Sequence, residues 1–193
     1  MNRRDAISRV ALIMGGTMIG AEFLLSGCSS KPHVAAGVAD LFNEDNTAYL
    51  NEVADTILPD TASSPGAKAA GVGPFMAVMV RDCYEPADQT IFLKGIGKID
   101  EASKKKFSKN FMDLDATQKT ALLTDLDKEQ EAYSKSKKPK DPNHYFRMMK
   151  ELTLLGYFTS EVGATKALRY VPVPGRFDGC IPYKKGDKAW ALS

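Results

Sequence analysis

Apolar residues recur at helical spacing along most of this chain, and no segment alternates apolar and polar residues with the period of a β-strand. Several stretches also open with residues that cap or begin helices. Helices are therefore predicted to begin at or near five positions: Asn43, Pro74, Asp88, the capping-box pair Asp115 and Gln118, and Asp141-Pro142. From Arg169 onward, repeated proline and glycine residues exclude a long helix. The expected fold is mainly α, a small helical bundle with a long Pro/Gly-rich C-terminal coil.

The helix predicted to follow Asp141-Pro142 carries the strongest apolar stripe in the chain. Gly156 lies on this stripe, and its lack of a side chain would let a neighbouring group pack closely. The residues expected on the buried side are Phe146, Met149, Leu152 and Gly156, with Met148, Leu155 and Tyr157 widening the stripe.

The first 27 residues have the order of a secretory signal, with basic residues, then an apolar stretch, then small residues before a cleavage site. Arg3 and Arg4 open the basic region, and Leu25-Ser26-Gly27-Cys28 closes the segment as a bacterial lipobox. This pattern predicts that the Cys28 thiol is lipidated. A transmembrane helix is the alternative, but Glu22 interrupts the apolar run. What remains is shorter than the roughly 20 apolar residues that span a bilayer.

Two export routes are compatible with this leader. Arg3 and Arg4 resemble a twin-arginine motif, which directs the export of proteins that are already folded, although Ala6 and Ser8 depart from the usual pattern. The alternative is an ordinary Sec signal that contains two adjacent arginines. Either route predicts a periplasmic protein held on the membrane by its lipid. The expected organisation is a signal peptide at 1–27, a lipidated tether at 28–42 and a single helical domain at 43–193.

The size and charge of the chain limit its possible partners. Removal of the leader leaves 166 of the 193 residues, enough for one domain with a substantial core. The formal net charge of the whole chain is only +2, which gives no electrostatic reason to expect nucleic acid as a partner.

Few residues have the spacing that catalysis, metal binding or cofactor binding requires. The chain has no C-x-x-C-H haem motif and no G-x-G-x-x-G motif after a strand. His33 and His144 have no Cys, Asp or Glu at metal-ligand spacing, and His144 is expected to be an exposed first-turn residue. No catalytic, cofactor-binding or metal-ligating residue is therefore assigned. Cys83 and Cys180 could form a disulfide in an oxidising compartment, or they could be two separate buried thiols.

The C-terminal part of the chain is too unusual in composition to be a generic surface. It runs from Gly156 to Pro182 and includes Tyr170-Val171-Pro172-Val173-Pro174-Gly175, a proline-stiffened extended coil. Because such a coil loses little entropy on docking, it suits a permanent interface. The alternative is that the coil packs on the helices of its own chain. The residues predicted to bind a partner are Tyr170, Val171, Pro172, Pro174, Phe177 and Ile181.

This C-terminal stretch resembles the signature of the gluconate 2-dehydrogenase subunit 3 family. Leu58-Pro59-Asp60-Thr61, Pro65-Gly66-Ala67 and Ala70-Gly71-Val72 resemble the N-terminal part of that family. The likeness covers most of the chain after the leader and is weakest from about residue 94 to residue 140. The resemblance implies a small, non-catalytic, exported subunit of a membrane-associated, FAD-dependent dehydrogenase that acts on sugars or sugar acids.

The same resemblance implies that FAD is held by a partner and that this chain binds no cofactor itself. The implied partner is a flavoprotein large subunit of the glucose-methanol-choline type, which a cytochrome c subunit joins in some complexes. The small subunit carries the export signal for both, and the flavoprotein travels folded and bound. A lipobox is not general in the family, so Cys28 would add an anchoring role. The alternative function is a free-standing periplasmic lipoprotein that binds a small ligand or a cell-wall component.

Overall fold

Within the described part of the chain, five α-helices form a bundle, with short helical turns before, between and after them. The computed structural model describes residues 37–173, 175–176 and 179–191. The helices are α1 (Glu44–Ile57), α2 (Val72–Cys83), α3 (Pro86–Phe107), α4 (Ala116–Ser136) and α5 (Tyr145–Thr159). In the described residues there is no strand, only two isolated backbone bridges, and extended coil follows a π-helical turn at Gly163–Ala167. The prediction of a mainly α bundle is confirmed.

Capping residues visible in the sequence begin two of these helices. The Asn43 side chain accepts a hydrogen bond from the Asn46 N–H (2.7 Å) at the start of α1. Asp115 and Gln118 form a complete capping box at the start of α4, which satisfies two backbone N–H groups that have no helical partner. These two helix starts were therefore determined by local sequence.

The fold begins earlier than the boundary at residue 43 that the sequence suggested. Val38–Phe42 form a short 3₁₀ helix that contacts α1 and α2. Val38 and Leu41 are fully buried in the core, so the last residues of the expected tether belong to the bundle.

The start of α5 also differs from the sequence prediction. The helix begins at Tyr145, and His144 takes the N-cap position that Asp141 was expected to hold. Asp141 is engaged elsewhere, because its carboxylate accepts a hydrogen bond from the Lys138 N–H (2.8 Å) in the preceding turn. The carbonyl of Pro142 accepts a hydrogen bond from the Tyr133 hydroxyl (3.0 Å), which holds this residue in the connection.

α5 packs against each of the other four α-helices and therefore organises the core. Gly156 lies against the Phe75 ring of α2, and a Cβ added at Gly156 would be 2.5 Å from Phe75 Cδ1. The close packing predicted at Gly156 is confirmed. The buried residues of α5 are Tyr145, Phe146, Met148, Met149, Leu152, Thr153, Gly156 and Tyr157.

Across the described residues, every helix is too short or too polar to cross a membrane.

Candidate partner-binding surface

Some charged residues of the described bundle form ion pairs that link helices. No group of three or more His, Cys, Asp or Glu side chains in the described residues could hold a metal ion. A hollow of about 240 Å³ between α1, α4 and α5 contains the ion pair of Asp127 and Lys150, whose charged atoms are 2.7 Å apart. Partial burial opposes ionisation of Asp127, but the bond from Lys150 holds the pKa of its carboxyl below the ordinary value. The ionised form of Asp127 is therefore favoured, and its ion pair with Lys150 ties α4 to α5.

His144 has a structural position and is not the exposed first-turn residue that the sequence suggested. Its Nδ1 accepts a hydrogen bond from the Phe146 N–H (3.3 Å), which makes it the N-cap of α5. Its ring lies 4.3 Å from the Tyr145 ring, and only 11% of its side chain is exposed. Burial lowers the pKa of His144, although Glu129, 3.6 Å from Nε2, acts in the opposite direction. A neutral imidazole suits this role because a protonated Nδ1 could not accept the hydrogen bond.

The outer face of α5 changes from charged to apolar along its length. Arg147 and Glu151 begin this face as an ion pair (2.7 Å), and Leu154, Leu155 and Phe158 continue it. These five positions fall within about 100° of arc on a helix of 3.6 residues per turn. The three apolar side chains are all exposed, Leu155 the most at 45%. A contiguous apolar face of this kind marks an interaction site more often than isolated exposed residues do.

The C-terminal coil exposes a second set of apolar side chains. Among the predicted interface residues, Tyr170, Val171, Pro172 and Ile181 are exposed in the structure, and Pro174 and Phe177 lie outside the described residues. Val173 and Tyr183 are more exposed still, at 80% and 75%. The described apolar residues of the coil are therefore accessible to a partner, and their role as an interface stays a prediction.

The two stretches that carry the family resemblance lie side by side although they are distant in sequence. The Tyr157 hydroxyl of α5 donates a hydrogen bond to the Pro65 carbonyl (2.6 Å) in the connection between α1 and α2. A hollow of about 360 Å³ lies between residues 60–65 and the π-helical turn, with Lys188 from the coil on its wall. The base of the C-terminal coil is thus built against the connection that follows α1.

The apolar face of α5 was not predicted from the sequence. Leu155 was expected on the buried stripe, whereas it is exposed in the structure together with Leu154 and Phe158. The sequence did contain an indication of this exposed face. Between Leu152 and Phe158, apolar residues occupy nearly every side of the helix, whereas a helix with one solvent-facing side is apolar on the other side only.

The two cysteines within the described residues are not paired. Cys83 and Cys180 are free, exposed thiols. The disulfide considered from the sequence is therefore not formed in this structure, and the alternative of two buried thiols is wrong as well. Cys28, Arg3 and Arg4 lie outside the described residues.

The chain is thus a small helical protein whose candidate functional feature is an accessible apolar surface. A family model described as gluconate 2-dehydrogenase subunit 3 matches residues 44–175, and the chain belongs to that family. The match begins at the first residue of α1 and extends into the C-terminal coil, which confirms the resemblance seen in the sequence. No curated protein and no solved structure matches the chain. Membership in a family of dehydrogenase subunits implies association with other subunits of such a complex.

Proposed function

We propose that this chain is the non-catalytic small subunit of a periplasmic, membrane-attached, FAD-dependent dehydrogenase of sugars or sugar acids. Its tasks are to carry the flavoprotein subunit through export, to anchor it and to stabilise it. The family match over residues 44–175 is the observation that carries this proposal. FAD belongs to the flavoprotein, which is of the glucose-methanol-choline type, and a cytochrome c subunit joins the complex in some members of the family.

Two exposed apolar surfaces support a role as a binding subunit. The first is the face of α5 formed by Leu154, Leu155 and Phe158, and the second is the C-terminal coil that begins at Tyr170. The fully buried centre of a subunit interface is apolar and rich in aromatic residues, and both surfaces offer such side chains. A chain that leaves them exposed gains stability in solution when a partner covers them.

The leader supports the proposed export and anchoring roles. Arg3 and Arg4 favour the twin-arginine route, which accepts a folded partner, and the Sec route would require the flavoprotein to travel separately. The lipobox that ends at Cys28 supports attachment to the membrane by lipid. Both roles rest on sequence motifs.

Purification of the tagged full chain from its own membranes tests the proposal. We expect a flavoprotein to be retained, to give a flavin absorbance spectrum and to be encoded beside this chain without a signal peptide of its own. A mock purification from cells that carry the untagged chain is the control. Retention of no flavoprotein under conditions that keep the chain folded would contradict the proposal and favour a free-standing periplasmic lipoprotein.

A further inference from the structure

The two ends of the C-terminal coil meet in space. We call residues 170–189 the C-terminal loop, because two backbone hydrogen bonds join Arg169, just before it, to its last residue, Ala189, and to Ala191 beyond it. The Arg169 N–H donates to the Ala189 carbonyl (2.8 Å), and the Ala191 N–H donates to the Arg169 carbonyl (2.9 Å). The Arg169 guanidinium lies 4.3 Å from the centre of the Trp190 ring, which is the geometry of a cation–π contact.

Lys188 attaches the base of the C-terminal loop, where Arg169 meets Ala189 and Ala191, to the helical part of the protein. Its ammonium donates hydrogen bonds to the Lys166 carbonyl, in the π-helical turn, and to the Ser63 carbonyl (3.5 Å), in the connection between α1 and α2. A cation at the carbonyl end of a helical turn is favourable because those carbonyls have no helical partner. The base of the C-terminal loop is therefore attached to two separate elements.

A tight turn orders the loop near its second end. The Asp187 N–H donates to the Lys184 carbonyl (3.0 Å), and the Asp187 carboxylate accepts from the Lys184 N–H (3.0 Å). Gly186 has a φ of +98°, a conformation that other residues rarely adopt. Among the described residues, the most exposed large apolar side chains, Val173 and Tyr183, belong to this loop.

We propose that Arg169, Lys188 and Trp190 form a clasp that holds the C-terminal loop in the conformation that binds the flavoprotein. This inference rests on the proposed function. The three residues act as positioning residues. The apolar side chains of the loop contact the flavoprotein, and the clasp holds those side chains in place before binding. A loop that is already ordered loses less conformational entropy on binding, so the clasp raises affinity without a contact of its own.

The clasp can be separated experimentally from the stability of the bundle. Trp190 is 43% exposed and lies outside the buried core, so opening the clasp leaves the packing of the five helices in place. The full chain carrying Trp190→Ala or Lys188→Ala should keep the melting temperature of the unaltered chain to within a few degrees. Trp190→Phe, which keeps an aromatic face for Arg169, and Lys140→Ala, at an exposed lysine in the connection between α4 and α5, are the matched controls.

Trypsin cleavage after Lys184, followed by mass spectrometry, measures opening of the loop. We expect Trp190→Ala and Lys188→Ala to accelerate this cleavage by about 2- to 30-fold, the factor that corresponds to the usual range of a cation–π or charged contact. Flavin retained by the tagged chain on its native membranes should fall in the same two variants and be near normal in both controls.

The outcomes distinguish the clasp from the proposed function. Unchanged cleavage in both clasp variants would overturn the clasp. Faster cleavage with undiminished flavin retention would show that the clasp does not position the binding loop, which also overturns the inference. If the unaltered chain retains no flavin, the proposed function fails instead, and the cleavage rates still decide whether the clasp exists.

Discussion

At the scale of single residues, His144 couples the start of the central helix to pH. Its Nδ1 caps α5, and its ring faces Glu129, Lys98, Tyr133 and Tyr145. Burial, helped by Lys98, lowers the pKa of His144 despite the opposing charge of Glu129. The folded chain therefore binds a proton less readily than the unfolded chain. The stabilisation by neutral His144 is complete above the ordinary imidazole pKa of about 6.5 and is lost as the pH falls through the lower folded pKa.

His144→Asn tests this coupling, because asparagine is a strong N-cap that does not titrate in this range. Between about pH 7.5 and about pH 5.5, the unaltered chain should lose up to about 1 kcal/mol of unfolding free energy relative to the variant, the usual contribution of an N-cap. Urea unfolding at the two pH values provides the measurement. Parallel pH profiles for the two proteins would contradict the role assigned to the imidazole.

A pair of helical glycines gives a second residue-scale prediction, because one is enclosed and the other is open. A Cβ at Gly73 of α2 would be 2.6 Å from the Thr47 carbonyl oxygen and 2.8 Å from the Asn51 backbone nitrogen, whereas nothing lies within 4 Å of a Cβ at Gly97 of α3. Gly73→Ala should destabilise by about 1–3 kcal/mol, since backbone atoms cannot move aside. Gly97→Ala should stabilise by about 0.5–1 kcal/mol. Thermal unfolding of both variants measures the sign of each change in stability. Equal changes in the two variants would contradict the close approach of α1 and α2 at Gly73.

At the scale of elements, the starts of two helices were predicted correctly because their capping residues bond to nearby backbone groups. The caps at Asn43 and at Asp115 with Gln118 could be predicted because each side chain bonds to backbone three residues away. The start of α5 was not predicted correctly, because the Asp141 side chain can bond to backbone N–H groups on either side of it, and in the structure it accepts from Lys138 in the preceding turn. No propensity rule would have chosen a histidine as the cap.

Of the two candidate binding surfaces, the C-terminal coil was predicted from the sequence and the apolar face of α5 was not. A coil can be predicted from its proline content, and the described apolar residues of this coil are exposed, as a binding surface requires. Helical periodicity, in contrast, places apolar residues on a face without saying whether another helix covers that face. Leu155 was therefore assigned to the core, whereas the other four α-helices pack around α5 and leave it exposed.

The outer face of α5 leads to a prediction that separates binding from stability. In the double variant Leu155→Gln with Phe158→Gln, the unfolding free energy should change by less than about 1 kcal/mol, because both side chains are exposed. Flavin retention should fall by about thirty-fold or more if these residues are interface anchors, whose truncation costs at least about 2 kcal/mol. Arg147→Gln, on the charged part of the same face, is the control. A large loss of stability with normal retention would place these residues in the core instead.

At the scale of the whole molecule, lipidation at Cys28 is predicted from the lipobox in the sequence alone. Each buried CH₂ of an acyl chain contributes about 0.8 kcal/mol, so a lipid with two or more chains should hold the protein on the membrane. Cys28→Ser should release the protein to the soluble fraction, whereas Cys83→Ser, at an exposed thiol in the bundle, should not. If the Cys28→Ser protein still sediments with membranes, the anchor lies elsewhere.

Export of the assembled complex depends, under our proposal, on the twin arginines. The twin-arginine route reads the pair at Arg3 and Arg4 as an address, so lysine at both positions keeps the charge but removes the signal. We expect the double variant to leave this chain in the cytoplasm together with its flavoprotein, as measured by cell fractionation and flavin absorbance. Arg9→Lys, a similar change later in the same leader, should export both proteins normally. Normal export of both after the double change would refute the twin-arginine route and, with it, the role of this subunit as the carrier of a folded partner.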